Sequence, residues 1–260
     1  GMLGEVSTLI GLNRSNILNI ELLEKKDKIL QFSFDLQIND LKNFTNLISQ
    51  LKQKNLNFKI IRHKKKKMLS YKESLKILKA SNALLEGQFI LSSGLHSPKY
   101  VQCAQLLSKP FMADKICESL AEKIKSEFKQ IDLILSPAMG GIIIGYEIAR
   151  LLNIPNIFAE RVNNKFVLRR DFQIKEDLKV LIIEDVITTG KSSLECSSLV
   201  TKANSKILGY ACIIDRSQGK SNITDKIISQ VEIDIPTYEK NKIPNDLAAI
   251  PAVKPGSRNL

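Results

Sequence analysis

No apolar run in this 260-residue chain approaches the ~20 residues needed to cross a bilayer. No leader with a small-residue cleavage site opens it either, and the expectation is a cytoplasmic protein. C-x-x-C pairs are absent. The four cysteines, Cys103, Cys117, Cys196 and Cys212, stand far apart, as buried free thiols of a reducing compartment do, and they offer no zinc spacing. There is no G-x-x-x-x-G-K-[ST] loop, which argues against a P-loop nucleotide hydrolase even where a pair of acids follows a strand. Of the two histidines, His63 lies in a basic run and His96 reads as a surface residue of a hairpin.

What is present is the balance of an ordinary globular protein, 43% hydrophobic and 25% charged. A net charge of +12 raises nucleic acid or a polyanionic small substrate as partners. Part of that charge sits in one place, His63 to Lys67, HKKKK. No aromatics interleave it for stacking on bases, so it reads as a solvated linker and nucleic acid is not the expected partner. Gly1 before Met2 reads as a scar of tag removal.

The linker divides the chain into 2–67 and 68–260. In the front segment Leu3, Val6, Leu9 and Ile10 have helical spacing, while Ile17 to Leu23 and Ile29 to Ile38 alternate as two strands around a turn at Lys25 to Lys28. Asn39 or Asp40 can cap a second helix carrying Leu41, Phe44, Leu47, Ile48 and Leu51, and Phe58 to Ile61 predict a last strand. The order α-β-β-α-β is that of a ferredoxin-like unit without its first strand. Residues 3–64 resemble an ACT domain, most closely the one that closes bacterial ppGpp synthetase/hydrolase proteins. That resemblance implies a small α+β unit missing a central strand, repaired by re-pairing or by a second chain, and expected from a gene fusion or a start codon inside a longer reading frame. Ligand-binding ACT domains make regulation one reading; a vestigial or dimer-forming appendage is the other.

From Met68 the leucines at 69, 75, 78 and 84 predict a helix through Leu85, stopped by Gly87. QFILSSGLHSPKYVQCAQLL then reads as a hairpin, with a Ser-Ser-Gly turn and a Ser-Pro break. An amphipathic helix from Phe111 to Phe128 precedes a buried strand, Ile131 to Leu135, that ends in SPAMGG. A helix (Ile142 to Leu152), strands at Asn156 to Ala159 and Phe166 to Leu168, and a later strand, Ile207 to Ile214 closing on Asp215-Arg216, complete the alternation. Such alternation predicts a parallel α/β sheet with helices on both faces.

The most informative stretch is KVLIIEDVITTGKSS, Lys179 to Ser193. Its unbroken apolar run suits a strand covered on both faces and places Glu184 and Asp185 at the strand's carboxyl end, where open α/β sheets bind ligands. Gly190 and the hydroxyl residues beside it let backbone N–H groups meet an anion at the start of the next helix. In a parallel sheet the ends Ser136 to Gly141, Glu184 to Ser192 and Asp215 to Gly219 converge on one edge, and Gly140-Gly141 allows either close backbone approach to a pyrophosphate or simply a tight turn.

IIEDVITTGKS resembles the phosphoribosyl-pyrophosphate signature of type I phosphoribosyltransferases. EGQFILSSGLHSP, SPAMGG and DRSQG narrow the resemblance to orotate phosphoribosyltransferases, over about Leu69 to Leu260 including PAVKPGSR. It implies a parallel sheet flanked by helices with a hood hairpin, magnesium as cofactor, orotate and phosphoribosyl pyrophosphate as substrates, and a homodimer whose loop is shared across the interface. Glu184 and Asp185 would hold the ribose hydroxyls, Asp185 counting also as catalytic; Thr188, Thr189, Gly190, Lys191 and Ser192 would bind the 5-phosphate, with Val186 and Ile187 part of the same phosphoribosyl-pyrophosphate-binding run. Met139 and Gly140 would lie at the pyrophosphate. Orotate would meet Thr188, Arg216, Tyr100 and Val101. Magnesium would ride on the substrate's oxygens with no direct protein ligand.

Relatives neutralise the leaving pyrophosphate with cations on a mobile loop. AERVNNKFVLRRDFQ departs from the long, lysine-rich form of that loop; Arg161 and Lys165 are its catalytic candidates, followed by Arg169 and Arg170. Ser92 stands where longer-loop relatives often carry lysine. A purine phosphoribosyltransferase, or a regulator that keeps the fold and binds nucleic acid, are the rival readings.

Overall fold

The computed structural model describes residues 2–26, 29–38, 40–54, 56–58 and 68–255, and the chain divides into two units, 1–63 and 64–260. In the front unit helix α1 (Met2–Leu12) leads to an antiparallel pair, β1 (Asn16–Lys26) and β2 (Ile29–Gln37), and then to α2 (Leu41–Gln53). Asp40 is the α2 cap: its carboxylate accepts from the Lys42 N–H at 2.8 Å, satisfying a donor that the helix itself leaves orphaned. Ile20 pairs with Phe34 and Leu22 with Phe32 across the ladder, and Ile10 and Leu47 form the buried centre. Of the last expected strand, only Phe58 is among the described residues; 59–61 and the basic run 63–67 lie outside them.

The second unit opens on α3 (Tyr71–Ala80), fixed by a reciprocal capping box in which Ser70 accepts from the Glu73 N–H and the Glu73 carboxylate accepts from the Ser70 N–H. This helix is shorter than the leucine spacing predicts. It ends at Ser81, Asn82 turns the chain at φ 63°, and Leu84 and Leu85 begin a strand, β3 (Leu84–Ile90). Gly87 therefore lies inside that strand, at the register shift between Glu86 and Phe89, rather than stopping a helix.

β3 pairs antiparallel with β4 (His96–Val101). Pro98 sits within β4 and does not break it, since the shift already interrupts the ladder there. His96 corrects its surface reading. It is only 6% exposed; its backbone bridges Tyr238, and its ring lies 3.2 Å from the Gln88 amide. After the short α4 (Ala104–Leu107) comes α5 (Pro110–Glu127), with proline in its first turn where the missing N–H costs nothing.

β5 (Leu133–Pro137), α6 (Gly140–Leu152), β6 (Asn156–Val162), β7 (Lys165–Leu168), β8 (Lys179–Ile187), α7 (Lys191–Lys202), β9 (Lys206–Asp215) and β10 (Ile227–Glu232) follow. Among the described residues they form a six-stranded sheet in the order β10-β9-β8-β5-β6-β7, parallel except for β7, which turns back antiparallel on β6 through Asn163-Asn164. The short α8 (Asn245–Ala248) precedes β11 (Ala252–Val253), which joins β3 in parallel and completes a three-stranded hood of order β11-β3-β4.

The uninterrupted apolar run of β8 is explained by burial on both faces. Leu181 and Ile183 belong to the core shared with α3, α5 and α6, while Val180 and Ile182 belong to the core under α7. The chain runs from β5 outward through β6 and β7, then returns to place β8 on the other side of β5. The carboxyl ends of β5 and β8 therefore flank the point where the strand order reverses, the crevice in which such sheets take ligands.

Candidate active site

β8 continues past the acids to Ile187, so Glu184 and Asp185 lie inside its last turn of ladder rather than at its tip; Glu184 sits opposite Cys212 and Ile187 opposite Asp215. Burial pushes the Glu184 carboxyl up to about 7, reinforced by the adjacent Asp185, while a hydrogen bond from Ser193 and the Arg161 charge pull it down. Burial also raises Asp185, opposed by the Val186 N–H, which donates to its Oδ1 at 2.9 Å.

The β5–α6 turn closes on these acids. A Cβ on Gly140 would stand 2.6 Å from Asp185 Oδ1, and one on Gly141 would stand 2.9 Å from the Ile183 carbonyl. Both glycines are thus required by close approach, and the turn backbone rests directly against the Asp185 carboxylate. Met139, just before the helix, is 81% exposed.

After β8 comes the anion loop. Thr188, Thr189 and Lys191 are exposed, Ser192 is half-buried, and Gly190 adopts φ 77° as the residue before α7. A side chain at Gly190 would also strike Ile223, so both conformation and space demand glycine. The loop is laced to the segment after β9: the Arg216 N–H donates to the Ile187 carbonyl at 2.8 Å and the Asn222 N–H to the Thr189 carbonyl at 3.1 Å. Arg216 is half-buried, its Nε has no hydrogen-bond partner, and burial lowers its pKa. A half-buried guanidinium with an unspent donor suits an anionic, planar ligand. Tyr100 and Val101 lie in β4, half-buried, with the Tyr100 ring 5.8 Å from that of Phe89.

The basic hairpin is less free than its sequence implies. Arg161 donates to the Asn164 carbonyl, pairs with Glu195 of α7 at 2.8 Å and stacks 4.2 Å over Phe166. Arg169 and Arg170 both pair with Glu160. Lys165 is exposed and makes no ion pair among the described residues. Ser193, which residue-by-residue reading of the motif passes over, is fully buried in the first turn of α7 with its hydroxyl 2.6 Å from Glu184 Oε2. The sequence signal for it was faint: a fourth hydroxyl residue one position beyond the anion loop.

The crevice thus combines two carboxylates, a backbone turn open to an anion, a hydroxyl-rich helix start and a half-buried arginine. Residues 103–247 match the phosphoribosyl transferase domain family. The chain is 48% identical over 187 residues to an orotate phosphoribosyltransferase of Parvibaculum lavamentivorans, covering 72% of this chain and 96% of that one. It is 42% identical over 189 residues to that of Maricaulis maris, covering 72% and 97%. An orotate phosphoribosyltransferase structure from Aeropyrum pernix shares the fold at a TM-score of 0.54 and 22% identity, over 61% of this chain and 92% of that one. Near-complete coverage of such relatives, together with the family match across the crevice, means that the chain belongs to the phosphoribosyltransferase family, on its orotate phosphoribosyltransferase branch.

Proposed function

We propose that this chain transfers the 5-phosphoribosyl group from phosphoribosyl pyrophosphate to orotate, releasing pyrophosphate and forming orotidine 5-monophosphate, a step of pyrimidine synthesis. The observation that carries this reading is the Gly140 backbone against Asp185 at the sheet's reversal point, with the anion loop one strand end away. In this reading Glu184 and Asp185 accept hydrogen bonds from the ribose hydroxyls. Thr188 to Ser192 receive the 5-phosphate on backbone N–H and hydroxyl donors, and the Met139-Gly140 turn receives the pyrophosphate.

Orotate is held by the Arg216 fork and by Thr188, with Tyr100 and Val101 closing from the hood. Through an oxocarbenium-like centre, the bond from the ribosyl carbon to pyrophosphate breaks, a bond to the orotate ring nitrogen forms, and the proton that nitrogen carried passes to solvent. The two carboxylates favour the positive charge on the sugar as it develops. Lys165 is the cation of the hairpin most available to the leaving group. Arg161, tied to Glu195 and Asn164, serves it by holding the hairpin on α7.

Magnesium fits this site. Gly140 lets the pyrophosphate turn approach Asp185 closely enough that a cation carried on the substrate's oxygens would find carboxylates nearby. When bound it supplies neutralisation of the leaving charge.

The helix-strand-strand-helix order of residues 2–53 supports an ACT-like reading of the front unit, as an appendage outside the catalytic chemistry. A homodimer is supported by the exposed apolar residues Ile143 and Tyr146 on α6 and Phe111 on α5. No helix among the described residues is long and apolar enough to cross a membrane, in keeping with a cytoplasmic enzyme.

The testing experiment follows orotate absorbance with phosphoribosyl pyrophosphate and magnesium, with adenine, hypoxanthine and uracil as competitors. Orotate is expected to be consumed and the other bases ignored, and Asp185→Asn is expected to lower turnover by about a hundredfold or more, the scale of removing one transition-state electrostatic contact. Undiminished orotate with the folded protein would overturn the reading.

A further inference from the structure

We infer that Ser193 is a positioning residue, whose hydroxyl orients the Glu184 carboxylate and holds it ready to accept from the ribose. This rests on the reading of Glu184 as a ribose-binding acid. The hydroxyl is fully buried, lies 2.6 Å from Glu184 Oε2 and belongs to the first turn of α7, where its position is fixed by the helix rather than by a mobile loop. One carboxylate oxygen is thereby occupied from behind.

A hydrogen bond from an uncharged donor favours the ionised form of a carboxylate that burial otherwise disfavours. The other groups facing Glu184 do not replace it. Asp185, next to it on β8, opposes ionisation. Arg161, from β6, favours it but is shared with Glu195 and the Asn164 carbonyl. The buried thiols of Cys196 on α7 and Cys212 on β9 stay protonated, their own pKa values raised by burial first and by Glu184 among the lesser causes. Removing the Ser193 hydroxyl therefore moves Glu184 further from ionisation at neutral pH and frees its rotamer.

The test is calorimetric titration of phosphoribosyl pyrophosphate with magnesium into the full chain, without orotate, from mildly acidic to mildly alkaline pH. Parent, Ser193→Ala, Ser193→Thr and Glu184→Gln proteins are compared, with Ser193→Ala also made in the Glu184→Gln background. The parent is expected to bind more weakly as pH falls through about 7. Ser193→Ala is expected to bind about tenfold more weakly at neutral pH, the loss of one hydrogen bond to a charged group, with its acidic limb moved to higher pH. Threonine, which keeps the hydroxyl, should restore both, and in the Glu184→Gln background the alanine change should add little.

An unmoved acidic limb in Ser193→Ala with normal circular dichroism, or the same tenfold loss in the Glu184→Gln background, would overturn the inference. Should the alanine variant misfold, Ser193→Cys, of similar size and a weaker donor, is expected to give the same shift, and an unshifted limb there counts equally against it. If the parent itself fails to bind phosphoribosyl pyrophosphate, the functional reading fails instead.

Discussion

At the scale of single residues, Glu184 works against the fold that holds it. Its carboxyl titrates at about 7 in the native chain against an ordinary value of 4.5, so the native state keeps the proton after the unfolded chain has lost it. Stability from this group is therefore full below about 4.5, declines as pH rises and is lost above about 7. Glu184→Gln, which keeps the shape without the charge, is expected to stabilise the ligand-free protein at about pH 8 by roughly 1–3 kcal/mol, since each tenfold difference in proton affinity between the folded and unfolded chain is worth ~1.4 kcal/mol. Thermal melts of both proteins at about pH 5 and pH 8 check this: the gap should open at the higher pH and nearly close at the lower. The acid pair and Gly190 were legible in the sequence because a strand, two carboxylates and a left-handed glycine occur in order. Ser193 was not, since its meaning depends on which way the first turn of α7 faces. Nor was the engagement of Arg161, whose partner Glu195 lies more than thirty positions away on another element.

Among the elements, those with a strong period were read closely: α2, α5, α6 and β9 fall near their expected bounds, while β8 runs on through the two acids to Ile187. The misread boundary, at α3 and β3, has a physical cause. Leu84 continues a helical spacing by coincidence, while the turn is made by Asn82 in a conformation that asparagine tolerates but does not announce. β11 escaped notice because it is two residues long and is defined by a pairing with β3 far back in the chain. On α6 the exposed Ile143 and Tyr146, three positions apart, share a face away from the buried Gly141, Ile144, Gly145 and Ile148. Tyr146→Glu is expected to turn a dimer into a monomer while leaving the secondary structure unchanged. Size-exclusion chromatography with light scattering decides it, and an unchanged mass would remove this face from the interface.

For the molecule as a whole, the basic run, which lies outside the described residues, and the change of pattern around it predict a boundary between 2–67 and 68–260, and contacts group the chain as 1–63 and 64–260. The hood was legible only in part, as a hairpin, because its third strand comes from the far end of the second unit. The chemistry assigned here lies entirely in the second unit. A chain beginning at Met68 is therefore expected to fold and to keep orotate turnover within about twofold of the full chain, which the same absorbance assay measures. A loss beyond tenfold with a folded protein would make the front unit part of the working enzyme.

The two backbone bonds that lace the anion loop to the segment after β9, Arg216 to Ile187 and Asn222 to Thr189, set a length. On the proposed reading, these bonds join the seat for the phosphate to the arginine for the base just beyond the ends of β8 and β9, so the distance between them is gauged by peptide geometry and not by flexible side chains. A ribosyl donor stripped of its 5-phosphate would lose more than a charge contact: it would arrive without the far end of the gauge, and its reacting carbon would no longer be held in register with the incoming nitrogen.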